Sequence, residues 1–396
     1  FYDDKIEAIP KNDKPDLVAL TVETFTARRA YAIADLYRQK GVPVVMGGYH
    51  PTFLPEEALL YADAIVTGDA EGAWEQLLED FRRGKMQKRY QGDNNRPLDD
   101  FVLDRSLFAG KNYPPVELVQ YGRGCRFACD FCSIRAFYQA SQRQRNVNSL
   151  VQELETFKKR RLIFFVDDNL FNSRESLERL LKAIEPVNIK WSCQISIDVA
   201  RDDLLLDKMA AAGCVLAIIG FESLSPENLK QMGKPWNKVA GDYLSVVRKF
   251  HQRGIAVYGT FVFGYDGDTV DTIQRSVEFS LEAKLEIANF NPLTPTPGSA
   301  LYNRLSAENR LIFPEWWLDP NYHYGDSIFI PKNISPEEFS RQCYQAKKTF
   351  YSWRSIASRL FGSDAGMQWF RTGMVGIANI ISRREIKRKQ YRVLGS

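Results

Sequence analysis

Apolar residues along the chain form short continuous runs that alternate with amphipathic stretches of helical period. In the first part of the chain these runs and stretches occupy 17–22, 26–39, 42–46, 64–66 and 74–81. Short apolar runs separated by helices predict strands that are buried on both faces and paired in parallel. We therefore predict an α/β domain over residues 1–90, a doubly wound parallel sheet of which three or four strands are visible. Because the chain opens with Phe1, we expect a first strand–helix unit to lie outside this sequence.

The same alternation returns six times between residue 116 and about residue 292. The candidate strands are 116–121, 162–166, 189–195, 214–219, 256–263 and 286–291. Six right-handed strand–helix units predict a partial (β/α)6 barrel over residues 116–300, with its functional groups at the carboxyl ends of the strands. Residues 91–115, with their Asn and Pro residues, are expected to be a linker. Residues 301–396 are expected to form a mixed, mostly helical accessory segment.

Composition excludes several classes of protein. The net charge of +4 over 396 residues is too small to indicate a nucleic-acid partner. No apolar run approaches the roughly 20 residues that cross a bilayer, and no secretory leader is seen, so we expect a cytoplasmic protein. Of the six cysteines, three fall within eight positions, which favours metal binding over a disulfide framework.

The three clustered cysteines follow directly after the first predicted barrel strand. Residues 122–132 read GRGCRFACDFC, so Cys125, Cys129 and Cys132 have the spacing C-x3-C-x2-C. Thiolates bind iron well, and three of them leave one iron of a [4Fe–4S] cluster open to a small molecule. A structural zinc loop and three core cysteines are the alternatives. Zinc would need a fourth ligand, and His50 and His251 are distant in sequence.

This cysteine pattern, with Phe131 beside the last cysteine, resembles the defining motif of the radical S-adenosylmethionine (SAM) superfamily. The resemblance covers about residues 116–300. It implies a [4Fe–4S] cluster held by Cys125, Cys129 and Cys132, which cleaves SAM reductively to methionine and a 5′-deoxyadenosyl radical. It also implies that Phe131 packs near the adenine of SAM.

The resemblance further implies SAM contacts at the ends of the later strands. Asp168 stands where the family often carries Gly-Glu and receives the amino group of SAM. Gln194 ends the third strand, Glu222 is a candidate for the ribose or the methionyl ammonium, and Gly264 lies in a glycine-rich turn under the adenine. Helix N-capping is the alternative for polar residues in such places. It is the role expected of Ser173, Ser225 and Thr269.

Residues 1–90 resemble the cobalamin-binding domain that precedes the barrel in one branch of this superfamily. The matching segments are 15–20, 47–52 and 68–72. Thr21, Gly47 and Gly48 lie at the carboxyl ends of predicted strands and are expected to flank the nucleotide tail or the corrin edge. The Asp-x-His-x-x-Gly motif of a lower axial histidine is not present, and His50 is expected to be a turn residue.

Together the resemblances imply a cobalamin-dependent methyltransferase that acts on an unactivated carbon of a small molecule or lipid, such as an isoprenoid or a natural product. One SAM would regenerate methylcobalamin and a second would supply the radical, with flavodoxin or ferredoxin as electron donor. Two alternatives stay open. One is a radical SAM cyclase or oxidoreductase without methyl transfer, and the other is a non-catalytic cluster or cobalamin carrier.

The C-terminal segment carries two further patterns. Aromatic residues crowd between Trp316 and Trp353, and they either pack internally or lie over the barrel mouth as a lid. The basic run 383–389 follows Ile377, Ile380 and Ile381. A solvated helix is expected there, and peripheral contact with an anionic membrane surface is the alternative.

Overall fold

Two parallel sheets and a helical C-terminal segment make up the fold of this protein. The computed structural model describes residues 1–98, 103–139, 141–157, 161–240, 242–361 and 371–394. Both sheets are built from strand–helix units, as the alternating pattern predicts, so the α/β fold class is confirmed.

The first sheet holds four parallel strands that follow one another in chain order. They are β1 (Val18–Thr21), β2 (Val44–Gly47), β3 (Ala64–Thr67) and β4 (Arg89–Gln91). The helices between them are α1 (Ala27–Arg38), α2 (Tyr49–Phe53), α3 (Pro55–Tyr61) and α4 (Ala73–Arg82). The sequence pattern did not predict strand β4, because only the central one of its three residues, Tyr90, is buried and the strand therefore has no apolar run.

The second sheet is a six-stranded, all-parallel partial barrel, as predicted. A short antiparallel pair, β6 (Gly122–Arg123) and β7 (Arg143–Gln144), brackets the cysteine loop. The barrel strands are β5 (Val116–Val119), β8 (Leu162–Phe165), β9 (Lys190–Ile195), β10 (Cys214–Glu222), β11 (Ala256–Phe263) and β12 (Ile287–Pro292). The accompanying helices are α5 (Ser133–Tyr138), α6 (Val147–Glu155), α7 (Arg174–Ile184), α8 (Asp203–Ala211), α9 (Pro226–Gln231), α10 (Tyr243–Gln252), α11 (Val270–Glu282) and α12 (Ala300–Ala307).

Aromatic side chains fill the core of this barrel. Phe221, Phe261 and Phe290 stack along neighbouring strands, with ring centroids 5.7 and 5.4 Å apart. All three are completely buried, and burial of rings of this size is a main source of folding free energy. Ser173, Ser225 and Thr269 accept hydrogen bonds from backbone N–H groups in the first helical turns, which is the capping role predicted for them.

The end of strand β10 differs from the prediction, which stopped at residue 219. The strand continues to Glu222 through a bulge between Gly220 and Glu222. Glu222 has a φ of +62°, a left-handed conformation that is costly for a residue with a side chain. The bulge turns the Glu222 carboxylate toward the interior, where its side chain is buried.

The C-terminal segment adds the helices α13 (Pro336–Phe350), α14 (Trp353–Phe361) and α15 (Gly376–Lys389). Trp316 and Trp317 are buried against the N-terminal domain: the Trp316 ring lies 4.7 Å from that of Phe25, and the Trp317 ring lies 5.8 Å from that of His50. These two tryptophans therefore pack between the C-terminal segment and the N-terminal domain. Within the described ranges, every helix is too short or too polar to span a bilayer.

Candidate active site

The cysteine loop leaves the barrel between β6 and β7 and is held by two neighbouring aspartates at the end of β8. Asp167 accepts the backbone N–H groups of Tyr121, at 3.0 Å, and of Gly122. Asp168 accepts the N–H of Gly124 at 2.7 Å. Burial raises the pKa of Asp167 to about 7 and also raises the pKa of Asp168. The two carboxylates fix the path of the chain just before the first cysteine.

Gly124 makes the sharp entry into the loop possible. Its φ is +85°, and an added Cβ atom would lie 1.9 Å from the carbonyl oxygen of Ser141. A side chain at this position would be excluded both by conformation and by space. The glycine that precedes Cys125 therefore allows two backbone segments to approach each other closely.

All three cysteines line one cavity of about 160 Å³ at the carboxyl ends of the barrel strands. Cys129 is buried, and Cys125 and Cys132 are partly buried. Burial raises the pKa of each thiol, that of Cys129 to about 12. Such thiols bind a metal only by releasing their protons to solvent, so cluster assembly here is coupled to deprotonation.

The arrangement of these sulfur ligands bears on which metal group they fit. In the described part of the chain, no three His, Cys, Asp or Glu side chains are arranged to hold a metal ion. A [4Fe–4S] cubane does not require such convergence, because each thiolate binds a different iron. Three thiolates around an open cavity match a cubane that keeps one iron free for a further ligand.

Four of the other predicted site residues line the same cavity: Phe131, Asp168, Gln194 and Glu222. The side-chain amide of Gln194 donates to the carbonyl oxygen of Asp168 at 3.1 Å, which ties the ends of β8 and β9 together. The ring of Phe131 lies edge-on to that of Tyr265, at 6.5 Å. Strand ends that are distant in sequence thus meet around the cysteines, as the barrel topology predicts.

Gly264 is not among the residues that line this cavity. Its φ is +116°, and an added Cβ would lie 2.7 Å from the Phe329 ring and 3.0 Å from the Phe339 ring. The glycine allows the C-terminal segment to pack closely on the end of β11. A role under the adenine of SAM therefore stays a prediction from resemblance, whereas the packing role follows from the contacts.

Sequence reasoning missed a buried cation in the cavity. The ammonium of Lys234 lies 2.8 Å from Oε1 of Glu222, and the side chains are 9% and 10% exposed. It also lies 5.2 Å from the centre of the Trp236 ring, which stacks on Phe127 at 3.7 Å. Burial opposes the charge of Lys234, but Glu222 and Cys129 outweigh it and raise the pKa of Lys234. The sequence gives no local signal for this pair, because the pairing depends on the bulge in β10 at Gly220 and Glu222.

The predicted cobalamin contacts lie at the carboxyl edge of the first sheet. Thr21 and Gly47 are register partners at the ends of β1 and β2, and Thr21 is exposed. Gly48 follows with a φ of +104°, and an added Cβ would lie 2.9 Å from the carbonyl oxygen of Val22. An exposed strand end beside two glycines leaves this edge accessible to a flat ligand.

This edge lies beside the cysteine loop. Tyr49, the first residue of α2, packs its ring 4.7 Å from that of Phe137 in α5, the helix that directly follows Cys132. Arg123, just before the loop, forms ion pairs with Asp69 at 3.2 Å and Glu71 at 2.7 Å. The two sheets therefore present their carboxyl edges to a shared region.

The backbone of His50 lies next to that edge, where its N–H donates to the carbonyl oxygen of Val22 at 3.1 Å, but its side chain does not face the edge. It is completely buried, with Nε2 2.8 Å from the Tyr31 hydroxyl and 3.1 Å from Glu57 Oε1. His50 lies in helix α2 and not in a turn as predicted, and the contacts of its buried ring agree with an internal structural role more closely than with a ligand role.

Comparison with known proteins supports both halves of this arrangement. The model of the B12 binding domain matches residues 3–78, and that of the Radical SAM superfamily matches residues 119–280. Bacteriochlorophyllide d C-12(1)-methyltransferase of Chlorobaculum tepidum is 30% identical over 365 residues, which are 90% of this chain and 79% of that protein. The chain belongs to the cobalamin-binding branch of the radical SAM superfamily. It is a radical SAM enzyme, and the predicted set of SAM, iron–sulfur cluster and cobalamin is confirmed at the level of this family.

Two further relatives show the breadth of this branch. The fold is similar to that of the radical SAM methyltransferase TsrM from Kitasatospora setae, with a TM-score of 0.61, 16% identity, and coverage of 95% of this chain and 89% of that chain. The anaerobic magnesium-protoporphyrin IX monomethyl ester cyclase of Cereibacter sphaeroides is 25% identical over 392 residues, 87% of this chain and 63% of that protein. The same architecture thus serves proteins named for methyl transfer and for cyclisation.

Proposed function

We propose that this radical SAM enzyme transfers a methyl group from SAM to an unactivated carbon, with cobalamin as the methyl carrier. The observation that carries the proposal is the contact between Tyr49 and Phe137, which brings the edge of the cobalamin-type sheet to the helix that leaves the cysteine loop. When bound, the cluster supplies the electron for SAM cleavage and the cobalamin supplies the methyl group. A shared region between the two edges is what such a transfer requires.

We propose a separate role for each functional residue of the cavity. Cys125, Cys129 and Cys132 hold three corners of the cluster and leave the fourth open for SAM. Asp168, whose carboxylate accepts the N–H of Gly124, is the proposed acceptor of hydrogen bonds from the amino group of SAM. Phe131 offers an apolar face for the adenine. Asp168 and Glu222 are both candidates to bind the methionyl ammonium. Because Glu222 is already paired with Lys234, we assign this role to Asp168.

The proposed substrate class is a tetrapyrrole with an alkyl side chain. The support is that two relatives, one methyltransferase and one cyclase, are named for tetrapyrrole substrates and align over most of this chain. A reduced flavodoxin or ferredoxin is the proposed electron donor. A lipid or isoprenoid acceptor is the second substrate class within the same proposal.

If the methyl acceptor is apolar, we further propose that the protein contacts the membrane surface peripherally. Met374, Ile377 and Ile381 are exposed along α15 and its entry, and Arg384 and Lys387 follow on the same helix. Exposed apolar groups next to cations suit the surface of an anionic bilayer. Flotation with phosphatidylglycerol vesicles should recover the protein, and Ile377→Asn with Ile381→Asn should abolish this recovery. Equal recovery of the variant, or no flotation at all, would exclude the contact.

A single anaerobic assay tests the catalytic proposal. Reconstituted protein with cobalamin, dithionite, a bacteriochlorophyllide and methyl-labelled SAM should form labelled pigment together with S-adenosylhomocysteine and 5′-deoxyadenosine. Formation of 5′-deoxyadenosine alone, with unlabelled but altered pigment, would support the cyclase or oxidoreductase alternative, which the Cereibacter relative favours. Absence of both nucleoside products from protein with an intact cluster would support a non-catalytic carrier.

A further inference from the structure

The turn that carries Lys234 is fastened directly to the cysteine loop. The backbone N–H of Asp130, next to Cys129, donates to the carbonyl oxygen of Met232 at 3.0 Å. Gly233 has a φ of +75°, and an added Cβ would lie 2.8 Å from the carbonyl oxygen of Ala128. These two contacts hold Lys234 against the loop on the side of Cys129.

Inside the cavity, Lys234 is paired with Glu222. Gly220 provides the space: an added Cβ would lie 2.2 Å from Glu222 Oε1 and 3.2 Å from Lys234 Nζ. Among the described residues that line the cavity, the charged ones are Asp168, Glu222 and Lys234. Lys234 is thus the one cation facing the three thiol groups within that set.

Burial makes these charges effective at a distance. The side chains of both partners are almost wholly shielded from solvent, so water screens their charges poorly. Reduction of an iron–sulfur cluster adds one negative charge, and the reduction potential responds to nearby charge and to solvent exposure. A cation at this place favours the reduced cluster, whereas a carboxylate at this place disfavours it.

We propose that the ion pair between Lys234 and Glu222 sets the reduction potential of the cluster, with Lys234 raising that potential and Glu222 limiting the rise. The proposal rests on the cluster part of the proposed function and is independent of methyl transfer. Neither residue needs to touch the substrate. Lys234 acts on the cluster through its charge, and Glu222 acts by holding Lys234 in place and by opposing that charge.

The test is the midpoint potential of the cluster, measured by EPR-monitored titration of full-length protein without substrate or cobalamin. Lys234→Met should shift the potential to a more negative value, and Glu222→Gln should shift it to a more positive value. We expect each change to alter the reduction equilibrium about tenfold, which for one electron is about 59 mV. Lys234→Arg should keep the potential within a small fraction of these shifts, because it keeps the charge.

Shifts of the potential in opposite directions distinguish this proposal from a purely structural role. If the two residues were only structural, both variants would lose cluster content, and their potentials would not shift in opposite directions. The double variant that combines Lys234→Met with Glu222→Gln removes both charges and should return toward the wild-type potential. Lys208→Met on α8, which breaks an exposed ion pair with Glu178, is the matched control and should leave the potential unchanged. Shifts of the same sign, unchanged potentials, or wild-type protein without an EPR signal would overturn the proposal. Loss of methyl transfer with intact opposite shifts would leave it standing.

Discussion

Two groups of polar and aromatic side chains in this protein look chemically competent, but one group lines a cavity whereas the members of the other bond to one another. The first is the cavity around the three cysteines. The second, which we call the histidine cluster, consists of Tyr31, His50, Glu57 and Trp317. In the histidine cluster a carboxylate, an imidazole and a phenol lie within hydrogen-bond distance of one another, which resembles an acid–base site.

The difference lies in how the polar atoms are used. In the histidine cluster, Glu57 accepts from Tyr31 at 2.7 Å and from Trp317 at 3.0 Å, and His50 is completely buried. In the cavity, the three cysteines and Phe131 line open space. Proximity of reactive groups is therefore a weak indication of a site, whereas accessible groups on several strand ends are a strong one.

The strongest test of this contrast removes one thiol from the cavity. Cys132→Ala should reduce bound iron and bring 5′-deoxyadenosine formation to background, because two thiolates cannot hold the cubane in place of three. Cys343→Ala is the control, since Cys343 is also a free thiol but is buried in α13, outside the cavity. Iron content by colorimetry and the product by chromatography are the measurements. Full activity of Cys132→Ala would contradict the assignment of the site.

The next largest effect is expected from the entry to the loop. In Gly124→Ala the new Cβ would collide with the Ser141 carbonyl, so the loop must move and cluster assembly should fail. Gly41→Ala is the control for backbone strain alone. Gly41 has a φ of +74°, but an added Cβ there meets nothing within 4 Å. That control should lose about 1–2 kcal/mol of unfolding free energy and keep its iron. Equal iron content in both variants would show that the close approach at Gly124 is unnecessary.

The sequence predicted the barrel and its cysteine loop because both depend on local signals. Buried parallel strands give continuous apolar runs, and the spacing of Cys125, Cys129 and Cys132 specifies a compact thiolate loop. Contacts between distant segments left no such signal. The pairing of Lys234 with Glu222 depends on a bulge in β10, and Gly264 faces Phe329 because of how the C-terminal segment folds back. Strand β4 was missed because an edge strand with one buried residue has no apolar run.

A smaller effect is expected in the histidine cluster. Trp317→Phe removes the N–H that donates to the Glu57 carboxylate and should cost about 1–3 kcal/mol of unfolding free energy, measured by urea denaturation. Trp316→Phe is the matched control: its N–H donates to the uncharged carbonyl of Pro295 at 2.9 Å, so its loss should be smaller. Neither change should alter the rate of 5′-deoxyadenosine formation in folded protein. A loss of that rate in Trp317→Phe alone would give the histidine cluster a catalytic role.

The smallest effect is a dependence on pH. Burial raises the pKa of Glu57, but the hydrogen bonds from His50 and Tyr31 outweigh it and bring that pKa below its ordinary value of 4.5. A carboxyl group with a lowered pKa in the folded state stabilises the protein above its unfolded pKa, and this contribution is lost as the pH falls through the folded pKa. The difference in unfolding free energy between wild type and Glu57→Gln should therefore narrow as the pH falls below about 5. A difference that widens on acidification would mean that the folded state binds the proton at Glu57 more tightly than the unfolded chain, so that the partners of Glu57 fail to outweigh its burial.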